Sequence, residues 1–240
     1  MLFPLRDDNP TTSRPALTVT LIAANVVIFF YQFTLPVEAG RTFIYQFGTI
    51  PAVVLGSRSL PAALAAIPAP LSLLTGMFLH GGLMHLGGNM LYLWIFGNNI
   101  EDAMGRGRFL LFYVLCGIGA AAAQILGDPH STVPMVGASG AISGVLGAYL
   151  LLFPRAQVLV LVFFFFIRLM YIPAAIVLGM WFVIQVASGA AASGAGSGVA
   201  WWAHVGGFVV GMMLVGLFKR PGTPFFHPPV RHESRFENWR

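Results

Sequence analysis

The sequence predicts an all-α integral membrane protein, a bundle of six transmembrane helices, and three observations carry that prediction. Of its 240 residues, 57% are hydrophobic and only 9% charged, against about 25% charged in a soluble domain. So few charges cannot coat a soluble surface of this size. Six apolar stretches, at 16–35, 82–99, 108–126, 138–154, 169–188 and 199–218, approach the length a helix needs to cross about 30 Å of hydrocarbon. The basic residues are also one-sided. With the N-terminus in the cytoplasm, only Arg41 and Arg58 fall outside and every other Lys and Arg falls inside, the bias that orients multi-pass proteins.

Each element follows from local sequence. Residues 1–15 read as a cytoplasmic N-terminal segment. Asp7 and Asp8 interrupt its basic character, and the stretch that follows is too long for a signal-peptide core, so it reads as a retained first span. The external loop 36–81 carries three prolines between Pro61 and Pro70 and apolar runs such as Leu60 to Leu74, which place part of it in the membrane interface. The apolar run from Val158 to Ala187 is too long for one span and contains Arg168 and Pro173, so it divides there. Val158 to Ile167, β-branched and aromatic, reads as an interfacial or extended segment, and the fifth span begins near Leu169. Ser188 to Gly198 is nearly all Gly, Ala and Ser, a flexible composition. The membrane domain thus covers 16–218, and 219–240 reads as a polar, disordered cytoplasmic tail. The net charge of +5 needs no nucleic-acid partner, because basic residues facing anionic headgroups account for it. Cys116, the one cysteine, allows no internal disulfide and reads as a small buried hydrophobe. The location implied is a multi-pass protein of the plasma (inner) membrane with both termini cytoplasmic.

Polar groups inside spans are costly and are therefore functional candidates. The spans offer His85, Asn89, Ser139, Ser143 and His204, with His80 just ahead of the second. Spans two, four and six run from outside to inside. His85 and Asn89 lie near the start of span two, Ser139 near the start of span four, and His204 about five residues into span six, so all fall at similar depth near the outer face. His85 and Asn89, four apart, share one helix face. Gly140, Gly144 and Gly147 on span four, and Ala203, Gly207 and Gly211 on span six, form small-residue ridges that allow close backbone approach. Close approach would bring Ser139 to His204. A serine becomes a nucleophile when a base takes its proton, and His204 is the available base. The oxyanion formed by attack on a carbonyl needs donors, which His85, Asn89 and the backbone N–H of Ser139 at a helix start can supply. The acidic residues lie at other depths or in loops, so the expectation is a Ser–His dyad. Ser143 reads as packing beneath the site. His80 and His85, five apart, are poorly placed for joint ligation, and no His-Glu-x-x-His occurs. No metal and no cofactor are expected.

These residues together resemble the rhomboid family of intramembrane serine proteases, from about Leu74 to Gly216. His80-Gly-Gly-Leu-Met-His85-Leu-Gly-Gly-Asn89 is similar to the family's second-span motif. Gly137-Ala138-Ser139-Gly140 is similar to its nucleophile motif, and Ala203-His204-Val205-Gly206-Gly207 with Gly211 to its sixth-span motif. Glu101-Asp-Ala-Met-Gly105 resembles the turn after the second span. The resemblance implies a six-helix rhomboid-like bundle with a water-accessible cavity, in which Ser139 and His204 catalyse and His85, Asn89 and Gly137 serve the oxyanion and substrate. It implies cleavage of other transmembrane proteins near the outer ends of their spans, with small residues at the scissile bond. It also implies that the fifth span and the loop after Ser188 gate access, which makes Trp181 and Phe182 gate candidates. Two departures stand out. Leu71-Ser72 occupies the place where many members carry Trp-Arg in the first external loop. Ser143 stands where some members place a tyrosine against the base, so nothing in the motifs supports His204. A non-catalytic binder of membrane proteins on the same fold is disfavoured by the presence of both Ser139 and His204. A proton-conducting transporter is disfavoured by the lack of intramembrane carboxylates and of paired repeats.

Overall fold

The computed structural model describes residues 2–163, 167–192 and 199–228. In chain order these form strand β1 (Leu2–Asp7) and helices α1 (Ala16–Thr34), α2 (Val37–Phe47) and α3 (Pro51–Val54). After them come α4 (Ser72–Thr75), between two 3₁₀ turns, and then α5 (Leu83–Met104), α6 (Arg106–Gly127) and α7 (Ser139–Leu152). The hairpin strands β2 (Gln157–Phe163) and β3 (Ile167–Pro173) precede α8 (Ala174–Ala191) and α9 (Trp201–Phe218). The six expected spans correspond to α1, α5, α6, α7, α8 and α9.

Four of these, α1, α6, α8 and α9, are long and apolar enough to cross a membrane by themselves. Their outward side chains, among them Val27, Phe33, Val183, Met213 and Leu217, are exposed, as expected where lipid is the solvent. Helix α5 is long but carries Asn98, Asn99, Glu101 and Asp102 in its last two turns. Helix α7 has 14 residues, about 21 Å at 1.5 Å per residue. It is the central helix, packed by α5, α6, α8 and α9, with Ala141 to Tyr149 buried without a break.

Glycine sets how closely α7 and α9 approach. A Cβ on Gly207 would overlap the Gly140 carbonyl, one on Gly211 the Gly144 carbonyl, and one on Gly147 the Phe208 carbonyl. The two ridges thus meet backbone to backbone. On the other side of α7, Gly144 packs on Cys116 of α6, which leaves Cys116 with no exposed surface.

Helix α1 has no cap of its own, being preceded by Pro15. Its orphan N–H groups are met by the C-terminal end of α5. Glu101 accepts hydrogen bonds from Leu17 N–H at 3.0 Å and from Thr18 N–H and Oγ1 at 2.7 and 2.8 Å. Asp102 accepts from the backbone and hydroxyls of Thr12 and Ser13. The carboxylates also oppose the positive end of the α1 dipole. Gly105 then turns the chain into α6 at φ 82°, a conformation that favours glycine. The Glu101–Gly105 motif therefore clamps the N-terminal segment to α5.

The bundle carries a sheet that the all-α class leaves out. β2 pairs antiparallel with both β1 and β3. The extended reading of Val158 to Ile167 agrees with this at Val158–Phe163 and Ile167, residues 164–166 lying outside the described residues, but the fifth helix starts at Ala174 rather than near Leu169. Strand pairing continues to Pro173, whose missing N–H and fixed φ suit a helix boundary. Val158 and Val160 are fully buried on the inward face. Loop 36–81 is largely ordered into short helices, with Phe43 packed on Tyr31 of α1. The expected disorder of the tail does not extend to its first part, since the N–H groups of Phe226 and His227 donate to the carbonyls of Leu151 and Leu152 that end α7. Residues 229–240 and 193–198, the core of the Gly/Ala/Ser loop, lie outside the described residues.

The strand β1 is pinned by a partly buried bond with a pH signature. Tyr149 donates its hydroxyl to Asp7 Oδ2 at 2.5 Å. Burial, with Asp8 adding to it against the opposing Tyr149 bond, raises the Asp7 carboxyl to about 6 from 3.8. The folded state therefore favours the protonated acid. Its contribution is full below the unfolded value and is lost as pH rises through the folded one. Asp7→Asn mimics that form. In thermal unfolding, its advantage over wild type should be largest near pH 7.5 and vanish near pH 4.

Candidate active site

Ser139 is the first residue of α7, delivered by a turn that requires glycine. Gly137 sits at φ 122°, and its N–H donates to the Gly76 carbonyl at 2.9 Å. Just upstream, Met135 and Thr49 exchange backbone hydrogen bonds in an isolated bridge. Thr49 Oγ1 donates to the Ser72 carbonyl at 2.7 Å, and Thr75 Oγ1 to the Phe47 carbonyl at 2.6 Å. With Leu71-Ser72 in place of Trp-Arg, the two threonine hydroxyls tie separate parts of the first loop to each other, and the backbones of Thr49 and Gly76 hold that loop to the segment ahead of α7. Ser143 donates back to the Ser139 carbonyl at 2.6 Å, the i−4 bond that serines make inside helices.

Helix α9 brings His204 to Ser139. Its Nε2 lies 2.8 Å from Ser139 Oγ, and its Nδ1 lies 2.8 Å from Gln185 Oε1 on α8. Gln185 is buried. Trp181, one turn earlier on α8, faces the imidazole with ring centroids 5.9 Å apart, and Trp201 meets it edge-on at 6.2 Å. At the start of α9, Ala203 N–H donates to Gln124 Oε1 of α6 at 3.2 Å. Trp181 and Phe182 both stack on Phe208 of α9, so the gate candidates are also the packing contacts that seat α8.

His85 and Asn89 lie in the first two turns of α5. Gly81 N–H donates to His85 Nδ1 at 3.2 Å, which leaves Nε2 as the protonated nitrogen of the neutral ring. That nitrogen points at Gly137. A Cβ there would come within 2.8 Å of it and 3.8 Å of Ser139 Oγ, so only glycine leaves the space between His85 and the serine open. Asn89 is buried and spends one amide hydrogen on the His85 carbonyl at 2.8 Å. His80 packs edge-on against His85, and its backbone is tied to Gln32 of α1. A cavity of about 40 Å³ opens beside Ser139, bounded by Thr49, Met77, Ala120, Met135, Gly137 and Ala203.

The structure therefore brings Ser139, His204, His85 and Gly137 together at one end of the bundle, where α5, α7 and α9 all begin, with Asn89 one turn beyond His85 on α5. Gln185 was not singled out in the sequence. The same rule that selects Ser139 and His204 also selects it, because it is the polar side chain inside the apolar run 174–187.

The rhomboid domain profile matches residues 69–221, more than half of the chain and all of these site residues. The chain belongs to the rhomboid family. It is 37% identical over 137 residues to the rhomboid protease GluP of Bacillus subtilis (strain 168), covering 57% of this chain and 24% of that protein. It is 30% identical over 156 residues to rhomboid protein 1, mitochondrial, of Saccharomyces cerevisiae, covering 61% of this chain and 41% of that one. To the rhomboid protease AarA of Providencia stuartii it is 32% identical over 148 residues, covering 55% and 49%. The matched stretches span less than half of each of these relatives. Family and apolar helices together make this rhomboid a multi-pass membrane protein, and its fold is the rhomboid-like helical bundle.

Proposed function

We propose that this rhomboid is an intramembrane serine endopeptidase that cleaves transmembrane proteins near the outer membrane face with a Ser–His dyad. The observation that carries the reading is the 2.8 Å approach of Ser139 Oγ to His204 Nε2, made by helices 65 residues apart in sequence and held by glycine ridges. Names borne by the relatives, rhomboid protease among them, agree with it.

The chemistry follows from the atoms present. His204 Nε2 takes the Ser139 hydroxyl proton as Oγ attacks the substrate carbonyl carbon. The carbonyl oxygen, now negative, is met by His85 Nε2–H, the remaining amide hydrogen of Asn89 and the Ser139 N–H at the start of α7. His204 returns the proton to the departing amine. Water, deprotonated by the same imidazole, then releases the acyl group from Ser139. The small cavity beside the serine suits a small side chain at the scissile bond, which supports substrates with alanine-sized residues there.

Placement supports the orientation. The site lies at one end of the bundle, while Arg106, Arg155 and Lys219 cluster at the ends of α5, α7 and α9 that lie away from it. On the positive-inside rule, this supports a reading in which the site faces outward and both termini are cytoplasmic. A reporter transmembrane substrate with the protein in bilayers tests the reading. Asn89→Ala should lower its cleavage about 10–1000-fold by removing one oxyanion donor. Wild-type activity in that variant would remove Asn89 from the mechanism.

A further inference from the structure

We infer that Gln185 is the positioning residue of the dyad, the uncharged group on α8 that fixes the tautomer and orientation of His204. The inference rests on the dyad reading above and deepens it. His204 can act as a base toward Ser139 only when Nε2 carries the lone pair, which requires the proton on Nδ1. The atom 2.8 Å from Nδ1 is Gln185 Oε1, an acceptor, and it selects that tautomer.

The amide orientation is itself fixed. Gln185 Nε2 points to the Trp181 carbonyl one turn back, at 3.4 Å. Turning the amide over would set Oε1 against that carbonyl oxygen and an N–H against Nδ1. Trp181 therefore orders Gln185, and Gln185 orders His204. In the triad of soluble serine proteases a buried carboxylate holds the imidazole. A carboxylate inside a span is costly to desolvate, whereas a glutamine supplies the acceptor without the charge.

The arrangement also places the base under the control of α8. Trp181 and Phe182 on Phe208, and Gly189 against Trp201 and Trp202, hold α8 on α9. The imidazole is oriented only while that contact is closed. It also accounts for Ser143 at the place where some relatives have a tyrosine, because support reaches His204 from α8 rather than from α7.

The test is the rate at which a fluorophosphonate labels Ser139, measured against pH in the full-length protein. Around His204, α7 brings Ser139, α6 brings Gln124, whose side chain accepts from Ala203, and α5 brings His85, the titratable group that faces it. His85 is left intact in every variant. Gln185→Leu should lower the labelling rate about 10–100-fold, a part of the 10²–10⁴ that a general base contributes. Gln185→Glu keeps the acceptor, so it should label faster than Gln185→Leu. Its acid limb should move to higher pH, because a carboxylate beside Nδ1 favours the imidazolium. Wild-type rate and profile in Gln185→Leu, or an unmoved acid limb in Gln185→Glu, would overturn the inference. The second outcome decides the matter even if the leucine variant does not fold. Normal labelling in His204→Ala would instead sink the dyad reading, so the two failures are told apart.

Discussion

Ser139→Ala should abolish cleavage of a reporter transmembrane substrate, a fall on the order of 10⁴-fold or more, while leaving the protein folded. The substitution removes one oxygen at the mouth of a helix and little else. The Ser139 carbonyl, which accepts from Ser143, is unchanged, and so is the turn at Gly137 that delivers α7. Alanine is also the best helix former, and Ser139 is only half-buried. The thermal unfolding midpoint should therefore stay close to wild type while activity disappears. Retained cleavage would require another nucleophile, and Ser143, turned back onto its own helix, is badly placed to be one.

Gly207→Val should cost both stability and activity. Its side chain would overlap the Gly140 carbonyl, a backbone atom that cannot rotate away. Helix α9 would have to shift outward from α7, and overpacking of this kind costs about 1–3 kcal/mol. The shift falls one turn from His204, so the 2.8 Å contact with Ser139 opens as well. Gly179→Ala on α8 is the control. It meets nothing within 4 Å and should leave both readouts unchanged or gain slightly from helix propensity. Thermal unfolding and reporter cleavage, measured side by side, check the pair. Equal behaviour of the two variants would mean that close α7–α9 approach does not assemble the site.

The parts legible in the sequence were those written in local pattern. Apolar length marks the helices, and glycine spacing marks the α7–α9 contact. The positions of Ser139, His204, His85 and Asn89 follow from counting residues from helix starts. What was not legible depends on partners distant in the chain. Leu2–Asp7 has no strand signature until β2, about 150 residues later, lies beside it. The capping of α1 by Glu101 and Asp102 is equally non-local, since neither carboxylate belongs to the helix it serves. Phe226 and His227 sit in a polar, proline-bearing tail, yet they find the open carbonyls at the end of α7. Gln185 is a different case. Its cost inside an apolar run was visible, but its use depends on which face of α8 meets α9, and the helix is too uniformly apolar for its sequence to show that.

The most direct measurement of the central claim is mass-spectrometric mapping of the fluorophosphonate adduct in the bilayer-embedded protein, in wild type and in His204→Ala. The expected result is a single adduct on Ser139 in wild type that is lost in the variant. An adduct on another residue, or one on Ser139 that forms equally well without His204, would contradict it.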